Sequence, residues 1–234
     1  YCGLQFIEEI NALKKITSEI TKPITCIIGG SKISTKIKII SNLIKIFDNI
    51  IIVGGMGNAL LKNTGVNIGK SICDGSYKSL VGKILEQSKV HNCSIYSPLD
   101  VVVSQKLDGN ATIKGVNEIK NDEMILDIGP KTINLIEKII NSSNTLLWNG
   151  PAGYFENPNF ANGTKKILEI ISNKKNKEKI YSVAGGGETV AVINKFKKSS
   201  SFNFVSTAGG AFLEYLEGKE LPGIKALGKY VWIK

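Results

Sequence analysis

An apolar run, a glycine-bearing turn and an amphipathic stretch follow one another along most of this chain, and that alternation constrains the fold more than any other feature. Ile24–Ile28 leads to Gly29-Gly30 and a helical pattern over Thr35–Phe47, and Ile50–Val53 leads to Gly54-Gly55 and Asn58–Lys62. Met124–Ile128 leads to Gly129-Pro130 and Thr132–Ile140, and Thr145–Trp148 to Gly150-Pro151, a loop and Ala161–Ile171. Ile180–Ala184 leads to Gly185-Gly186-Gly187 and Thr189–Phe196, and Phe202–Val205 to Gly209-Gly210 and Ala211–Leu216. Strands apolar on both faces, alternating with helices, predict an α/β fold. The expected form is a doubly wound, mostly parallel six-stranded sheet with helices on both faces, Rossmann-like. Right-handed crossovers would bring all these turns to the C-terminal edge of the sheet, where open α/β sheets bind ligands.

Two segments fall outside the alternation. Residues 4–19 read as a helix with Leu4, Ile7, Ile10, Leu13 and Ile16 on one stripe. Residues 98–120 read as a further strand with a small hairpin-like insertion. The resulting division is a connecting helix over 1–19 and one domain over 20–234, a length that buries a single substantial core.

The net charge of +10 invites a nucleic-acid partner, but all 30 basic residues are lysine. Without arginine the bidentate reading of guanine and the forked clamp on phosphate are missing, so no nucleic-acid partner is expected. Lys174–Lys179 reads as a solvated loop. No apolar stretch is long enough to span a bilayer, and no membrane partner is expected. Cys2, Cys26, Cys73 and Cys93 lack C-x-x-C spacing and the only histidine is His91, which predicts reduced thiols rather than zinc, in a cytoplasmic protein.

Two loops carry chemistry. Gly29-Gly30-Ser31-Lys32-Ile33-Ser34-Thr35-Lys36 is neither a Walker A loop nor G-x-G-x-x-G. With a helix beginning near Ser31, Lys32 and Lys36 would share a face at its N-terminus and suit a polyphosphate, although two surface lysines fit the spacing equally well. Gly185-Gly186-Gly187-Glu188-Thr189 exposes successive N–H groups at a helix start, adds the Thr189 hydroxyl, and offers Glu188 to Mg²⁺. Three adjacent glycines exceed what capping an acidic first turn requires.

These two loops, with Gly54-Gly55-Met56, the run from Trp148 to Glu156, Ser206-Thr207-Ala208-Gly209-Gly210-Ala211, the run from Leu213 to Gly218 and Leu221–Leu227, resemble the signatures of the phosphoglycerate kinase family in the family's order. The resemblance covers essentially the whole chain. It implies that Lys32 contacts the phosphoryl group in flight and Lys36 the α-phosphate, with Gly29 and Gly30 in the same loop. It implies that Gly54, Gly55, Leu126 and Pro151 wall the adenine slot, that Asn149 reaches the phosphates and that Glu156 reaches the ribose. Gly185, Gly186, Gly187 and Thr189 would hold the β- and γ-phosphates, with Glu188 at the magnesium. Gly209 and Gly210 would help balance the transferring charge, and Lys32, Gly187 and Gly210 form the implied catalytic set.

The activity implied is reversible, Mg²⁺-dependent phosphoryl transfer between 1,3-bisphosphoglycerate and ADP in glycolysis, in a monomer. Glu188 replaces the family's usual Asp, Tyr154 replaces a small aliphatic residue, and residues 228–234 run past the family's usual end. No motif of the family's arginine-containing 3-phosphoglycerate domain appears. The chain therefore reads as the nucleotide-binding half, expected to bind ADP or ATP without turnover. A stand-alone nucleotide-binding module is the alternative. A dinucleotide oxidoreductase is disfavoured by the missing fingerprint and ribose-binding acid.

Overall fold

The computed structural model describes residues 3–177 and 180–227. Nine helices are described: α1 (Leu4–Thr17), α2 (Ile37–Leu43), α3 (Gly54–Asn63), α4 (Tyr77–Val90), α5 (Pro130–Asn141), α6 (Asn162–Lys177), α7 (Gly187–Lys195), α8 (Gly210–Leu216) and α9 (Pro222–Leu227). The described strands are β1 (Ile24–Ile28), β2 (Asn49–Ile52), β3 (Ser94–Tyr96), β4 (Asp100–Ser104), β5 (Thr112–Gly115), β6 (Met124–Ile128), β7 (Thr145–Asn149), β8 (Tyr181–Ala184) and β9 (Phe204–Val205). Six of them form a wholly parallel sheet in the order β3-β2-β1-β7-β8-β9. The chain winds outward from β1 in one direction and from β7 in the other, which is the predicted doubly wound arrangement.

Burial explains why these strands lack polar alternation. Cys26 and Ile28 of β1, with Leu147 of β7, face a core closed by Leu13, Ile40, Met56, Ile84 and Phe212. Ile27, Leu146 and Trp148 face the opposite core, closed by Ile136, Ile140, Ile167, Ile171 and Val192. Successive residues thus serve opposite faces, and both faces are covered by helices.

The membership of the sheet differs from the sequence reading. β6, expected within the parallel series, belongs to a separate three-stranded sheet of order β5-β4-β6. It pairs antiparallel with β4, which also pairs antiparallel with β5. Short connections permit antiparallel neighbours, whereas a parallel partner needs a crossover, and the apolarity of Met124–Ile128 does not distinguish the two. The sixth parallel strand is instead β3, only three residues long. The turn at Gly129 therefore leaves a different sheet from the other five.

Three local readings also change. Leu4 and Ile7 of α1 are 82% and 38% exposed, so only Ile10, Leu13 and Ile16 of the stripe enter the core. α6 continues to Lys177, and Lys174, placed by sequence in a solvated loop, is buried with its ammonium donating to the Asn141 carbonyl at 2.7 Å. Glu178, Lys179, Cys2 and the 228–234 tail are not among the described residues. Among those described, no helix is long and apolar enough to cross a membrane.

Candidate functional site

At the centre of the parallel sheet, where the winding reverses, β1 and β7 run side by side and end together. Their following turns nearly touch. A Cβ on Gly29 would enter the van der Waals envelope of the Pro151 carbonyl oxygen, and one on Gly150 would strike the Gly29 carbonyl. The Gly29 N–H donates to the Asn149 carbonyl at 2.9 Å, and Gly30, with φ of +139°, turns the chain outward. Neighbouring turns from β2 and β8 complete a rim with two abutting cavities.

The first cavity, about 260 Å³, is a polar notch. Gly30, Lys36, Asn149, Gly186, Gly187, Glu188 and Thr189 line it, with Ser31, Thr35, Gly150 and Leu213. Lys36 dominates its charge. Its ammonium donates to the Gly29 carbonyl and to Asn149 Oδ1, both at 2.7 Å. Burial lowers the Lys36 pKa from its ordinary value, while Glu188 and Cys26 act in the opposite sense. Asn149 is itself locked, since its Nδ2 donates to the Gly185 carbonyl at 2.6 Å. The Thr189 hydroxyl accepts the Gly150 N–H at 2.7 Å. α7 begins at Gly187, where an added Cβ would meet nothing within 4 Å, so the helix N-terminus opens onto free space.

The second cavity, about 310 Å³, is a mostly apolar slot. Gly54, Gly55 and Pro151 of the rim form one side, and Leu126, Met124 and Leu107 of the antiparallel sheet region form the other. Tyr154 and Glu156 stand at its mouth, and Gly30, Ser31 and Glu188 line both cavities. The slot and the notch are thus one continuous groove.

Asp127 sits in the slot wall, 1% exposed. Its carboxylate accepts the N–H of Ile128 at 2.9 Å and of Gly163 at 2.7 Å, tying β6 to the start of α6. Burial pushes its pKa up to about 7, against the lowering effect of backbone N–H donors from Gly163, Ile128 and Asn162. A charged residue in an otherwise apolar strand was the one signal of it in the sequence. Asn58, Ser71, Ile72 and Leu107 also line the slot and were missed; their contribution depends on tertiary pairing rather than motif.

The residues expected from sequence separate into groups. Gly30, Lys36, Gly54, Gly55, Leu126, Asn149, Pro151, Glu156, Gly186, Gly187, Glu188 and Thr189 line the groove. Gly29 and Gly185 lie behind it as packing points, Gly185 against the Phe212 ring. Lys32, Gly209 and Gly210 line neither cavity, although α8, which starts at Gly210, brings Leu213 to the notch.

The expectation that Lys32 and Lys36 share a helical face is overturned. Lys32 is extended, at φ −134° and ψ 131°, and precedes a 3₁₀ turn over Ile33–Thr35. α2 starts only at Ile37, so Lys36 reaches back into the notch while Lys32 stays exposed beside it. The preceding Gly-Gly turn and the buried Ile33 hold this segment out of helical register.

Glu188 is the carboxylate available to a divalent cation in the notch. The described residues contain no cluster of three or more His, Cys, Asp or Glu able to hold a metal. One carboxylate beside an open helix N-terminus fits Mg²⁺, which is commonly held by one or two carboxylates together with a substrate's phosphates. Cys26, Cys73 and Cys93 are free, and burial raises the pKa of each thiol.

Fold and groove together define a doubly wound α/β protein with a bipartite, glycine-lined cleft at the topological switch point. The sequence profile described as phosphoglycerate kinase matches residues 1–219. The phosphoglycerate kinase of Zymomonas mobilis is 41% identical over 97% of this chain and 58% of its own length. That of Francisella philomiragia is 43% identical over 96% of this chain and 57% of its own. The structure of phosphoglycerate kinase from Coxiella burnetii superposes with a TM-score of 0.91 at 38% identity, covering 97% of this chain and 58% of that one. The enzyme from Pyrococcus horikoshii gives 0.77 at 26% identity, over 94% and 55%. The chain belongs to the phosphoglycerate kinase family, and it spans somewhat less than three fifths of the length of these relatives.

Proposed function

We propose that this chain binds Mg·ADP or Mg·ATP in the groove and forms the nucleotide-binding half of a phosphoglycerate kinase, over residues 20–234, with 1–19 as a connecting helix. The observation that carries the reading is the joining of an apolar slot to a polar notch through Gly30, Ser31 and Glu188. A base and ribose suit the first, and a polyphosphate suits the second. The base stacks between the Gly54-Gly55 backbone and Leu126, and Glu156 at the slot mouth accepts from the ribose hydroxyls. The charge of Lys36 and the N-terminus of α7 offset the phosphates, with Asn149 orienting the Lys36 ammonium.

The reaction proposed for the whole enzyme moves the acyl phosphoryl of 1,3-bisphosphoglycerate to a β-phosphate oxygen of ADP. The P–O bond to the carboxylate breaks as the new P–O bond forms, and 3-phosphoglycerate leaves. Glu188, together with the phosphates, would hold magnesium, which would supply charge neutralisation there. Lys32, exposed beside the notch, meets the phosphoryl group, and the N–H groups of Gly187 and Gly210 add positive potential along its path. Such catalysis is chiefly positioning and electrostatics.

We further propose that these 234 residues alone do not turn over. No arginine is present to grip the acid's carboxylate and phosphate, and in-line positioning contributes up to roughly 7–11 kcal/mol of barrier lowering. Calorimetry and a thermal-shift titration test the binding, since any native-state ligand raises stability. A melting shift and heat with Mg·ADP are expected; neither at millimolar nucleotide would contradict the proposal. A coupled assay showing robust turnover by the lone chain would contradict the second part.

A further inference from the structure

Lys32 presents a positioning problem. It lies on extended backbone at the start of a 3₁₀ turn, and its side chain is exposed. A lysine that meets a migrating phosphoryl group needs its backbone held, because freezing its long side chain already costs conformational entropy. On the upstream side Ser31 is held by close packing, since a Cβ on Gly55 would collide with the Ser31 carbonyl oxygen. Immediately downstream, Ile33 is fully buried. The next anchor is polar and comes from a distant segment. The Ser34 N–H donates to Asp74 Oδ2 at 3.1 Å, and the Ser34 hydroxyl donates to Asp74 Oδ1 at 2.9 Å.

Asp74 ends a strap, residues 71–74, whose other end lies in the base slot. Ser71 and Ile72 line the slot, as does Asn58 of α3. The Ser71 hydroxyl accepts the Ile125 N–H at 2.8 Å, which ties the strap to β6. Asn58 Nδ2 donates to the Ile72 carbonyl at 3.1 Å, which ties it to the helix whose first residues are Gly54 and Gly55. Asp74 itself lines neither cavity. It has no direct access to the groove, yet a two-point hydrogen bond sets it two residues from Lys32.

From this we infer that Asp74 is a positioning residue for Lys32, acting through Ser34, and that the 71–74 strap links the wall of the base slot to the lysine at the phosphoryl position. The inference rests on the nucleotide reading above. Its rival is that Asp74 merely caps the 3₁₀ turn and contributes only to stability. The two differ in whether the effect of Asp74 passes through Lys32, which a double-mutant cycle detects.

The experiment is calorimetric titration of the full chain with Mg·ATP, and with AMP as a ligand that ends short of Lys32. The proteins are wild type, Lys32→Ala, Asp74→Ala, the double variant, Asp74→Asn and Ser34→Ala. In the ground state Lys32 meets the γ-phosphoryl of ATP, so Lys32→Ala is expected to weaken Mg·ATP by about tenfold, within the range for one charged hydrogen bond. Asp74→Ala is expected to weaken it about fivefold, and the double variant no more than Lys32→Ala alone, with AMP unchanged within about twofold. Asp74→Asn keeps one carbonyl acceptor for Ser34 and is expected to recover part of the loss. Ser34→Ala, which keeps the backbone donor, is expected to lose less than Asp74→Ala, and, combined with Lys32→Ala in a second double variant, it carries the cycle if Asp74→Ala does not fold. Additive losses in the double variant, or an equal loss for AMP, would overturn the inference and leave Asp74 a stabilising cap. Weakened binding in Lys32→Ala with both Asp74→Ala and Ser34→Ala at wild-type affinity would overturn it while leaving the nucleotide reading intact. A wild-type chain that binds neither ligand would overturn both.

Discussion

The polar notch and the apolar slot abut, yet they are built from different material. The notch is lined by turns that leave one parallel sheet, and its chemistry comes from backbone at Gly30, Gly150, Gly186 and Gly187 with Lys36 locked among them. The slot is shared between that sheet and the antiparallel β5-β4-β6 sheet, and its chemistry is mainly apolar side chains. The notch therefore depends on close backbone approach within a few residues of each strand end. The slot depends on how two sheets and the 71–74 strap are held together. A change to the notch should act on phosphate recognition and rim geometry; a change to the slot should act on base recognition and on the stability of the sheet-to-sheet seam.

The largest effect expected is at the crossing of the β1 and β7 turns. Gly29→Ala places a methyl group against the Pro151 carbonyl, where backbone faces backbone and cannot give. It should destabilise the chain by about 3 kcal/mol or more and remove binding of every nucleotide. Gly187→Ala is the matching control, because its Cβ meets open space. It should keep wild-type stability to within about 1 kcal/mol while weakening polyphosphate binding. Denaturant unfolding of both variants checks the pair, and equal stabilities would break the claim that the rim is held by backbone contact.

The next effect belongs to the slot and is a pH dependence. Asp127 has a folded-state pKa of about 7 against an ordinary value of 3.8, so the folded chain holds a proton there that the unfolded chain has released. Its stabilising contribution is complete below the unfolded value and is lost as pH rises toward and through 7. Asp127→Asn removes that slope, and its amide leaves one of the N–H donors of Ile128 and Gly163 unaccepted, so it lowers stability at acidic pH. Melting temperatures from pH 5 to 8 should fall by several degrees for wild type relative to the Asn variant. Parallel curves would show that Asp127 does not titrate in this window.

Within the notch, Lys36→Met should weaken Mg·ADP roughly 10- to 100-fold, the range for charged hydrogen bonds, and leave adenosine binding unchanged. Competition titrations with the two ligands measure the contrast, and an equal loss for both would show that Lys36 acts on the groove as a whole. The smallest effect is expected at the slot mouth. Glu156 is exposed, and Glu156→Ala should weaken adenosine and Mg·ADP alike by about three- to tenfold, because a ribose contact is common to both. A loss confined to Mg·ADP would reassign Glu156 to the metal or phosphates.

The same contrast governs what could be read from the amino-acid sequence. Gly29-Gly30 and Gly185-Gly186-Gly187 announced the notch because glycine at a strand end has a local cause, and the residues that line the notch sit beside those glycines. The slot was only half legible. Gly54, Gly55 and Pro151 lie on the same rim, but Met124–Ile128 looks like any buried strand, and nothing in its apolar pattern says that it pairs with β4. Leu107, Ser71 and Ile72 reach the slot through long-range pairing and so left no motif. The lysine pair failed for a different reason. Spacing of four suggests one helical face only where the backbone is helical, and here a 3₁₀ turn separates Lys32 from Lys36.

The central claim is that slot and notch are two halves of one nucleotide site on this chain. Displacement calorimetry tests it most directly, with Mg·ADP titrated into chain held with saturating adenosine, with saturating magnesium pyrophosphate, and with neither. One Mg·ADP is expected to bind per chain, weakened by each of the two ligands separately, because each occupies one half of the same groove. Mg·ADP binding that is blocked by pyrophosphate but indifferent to adenosine, or no binding at millimolar concentration, would contradict it.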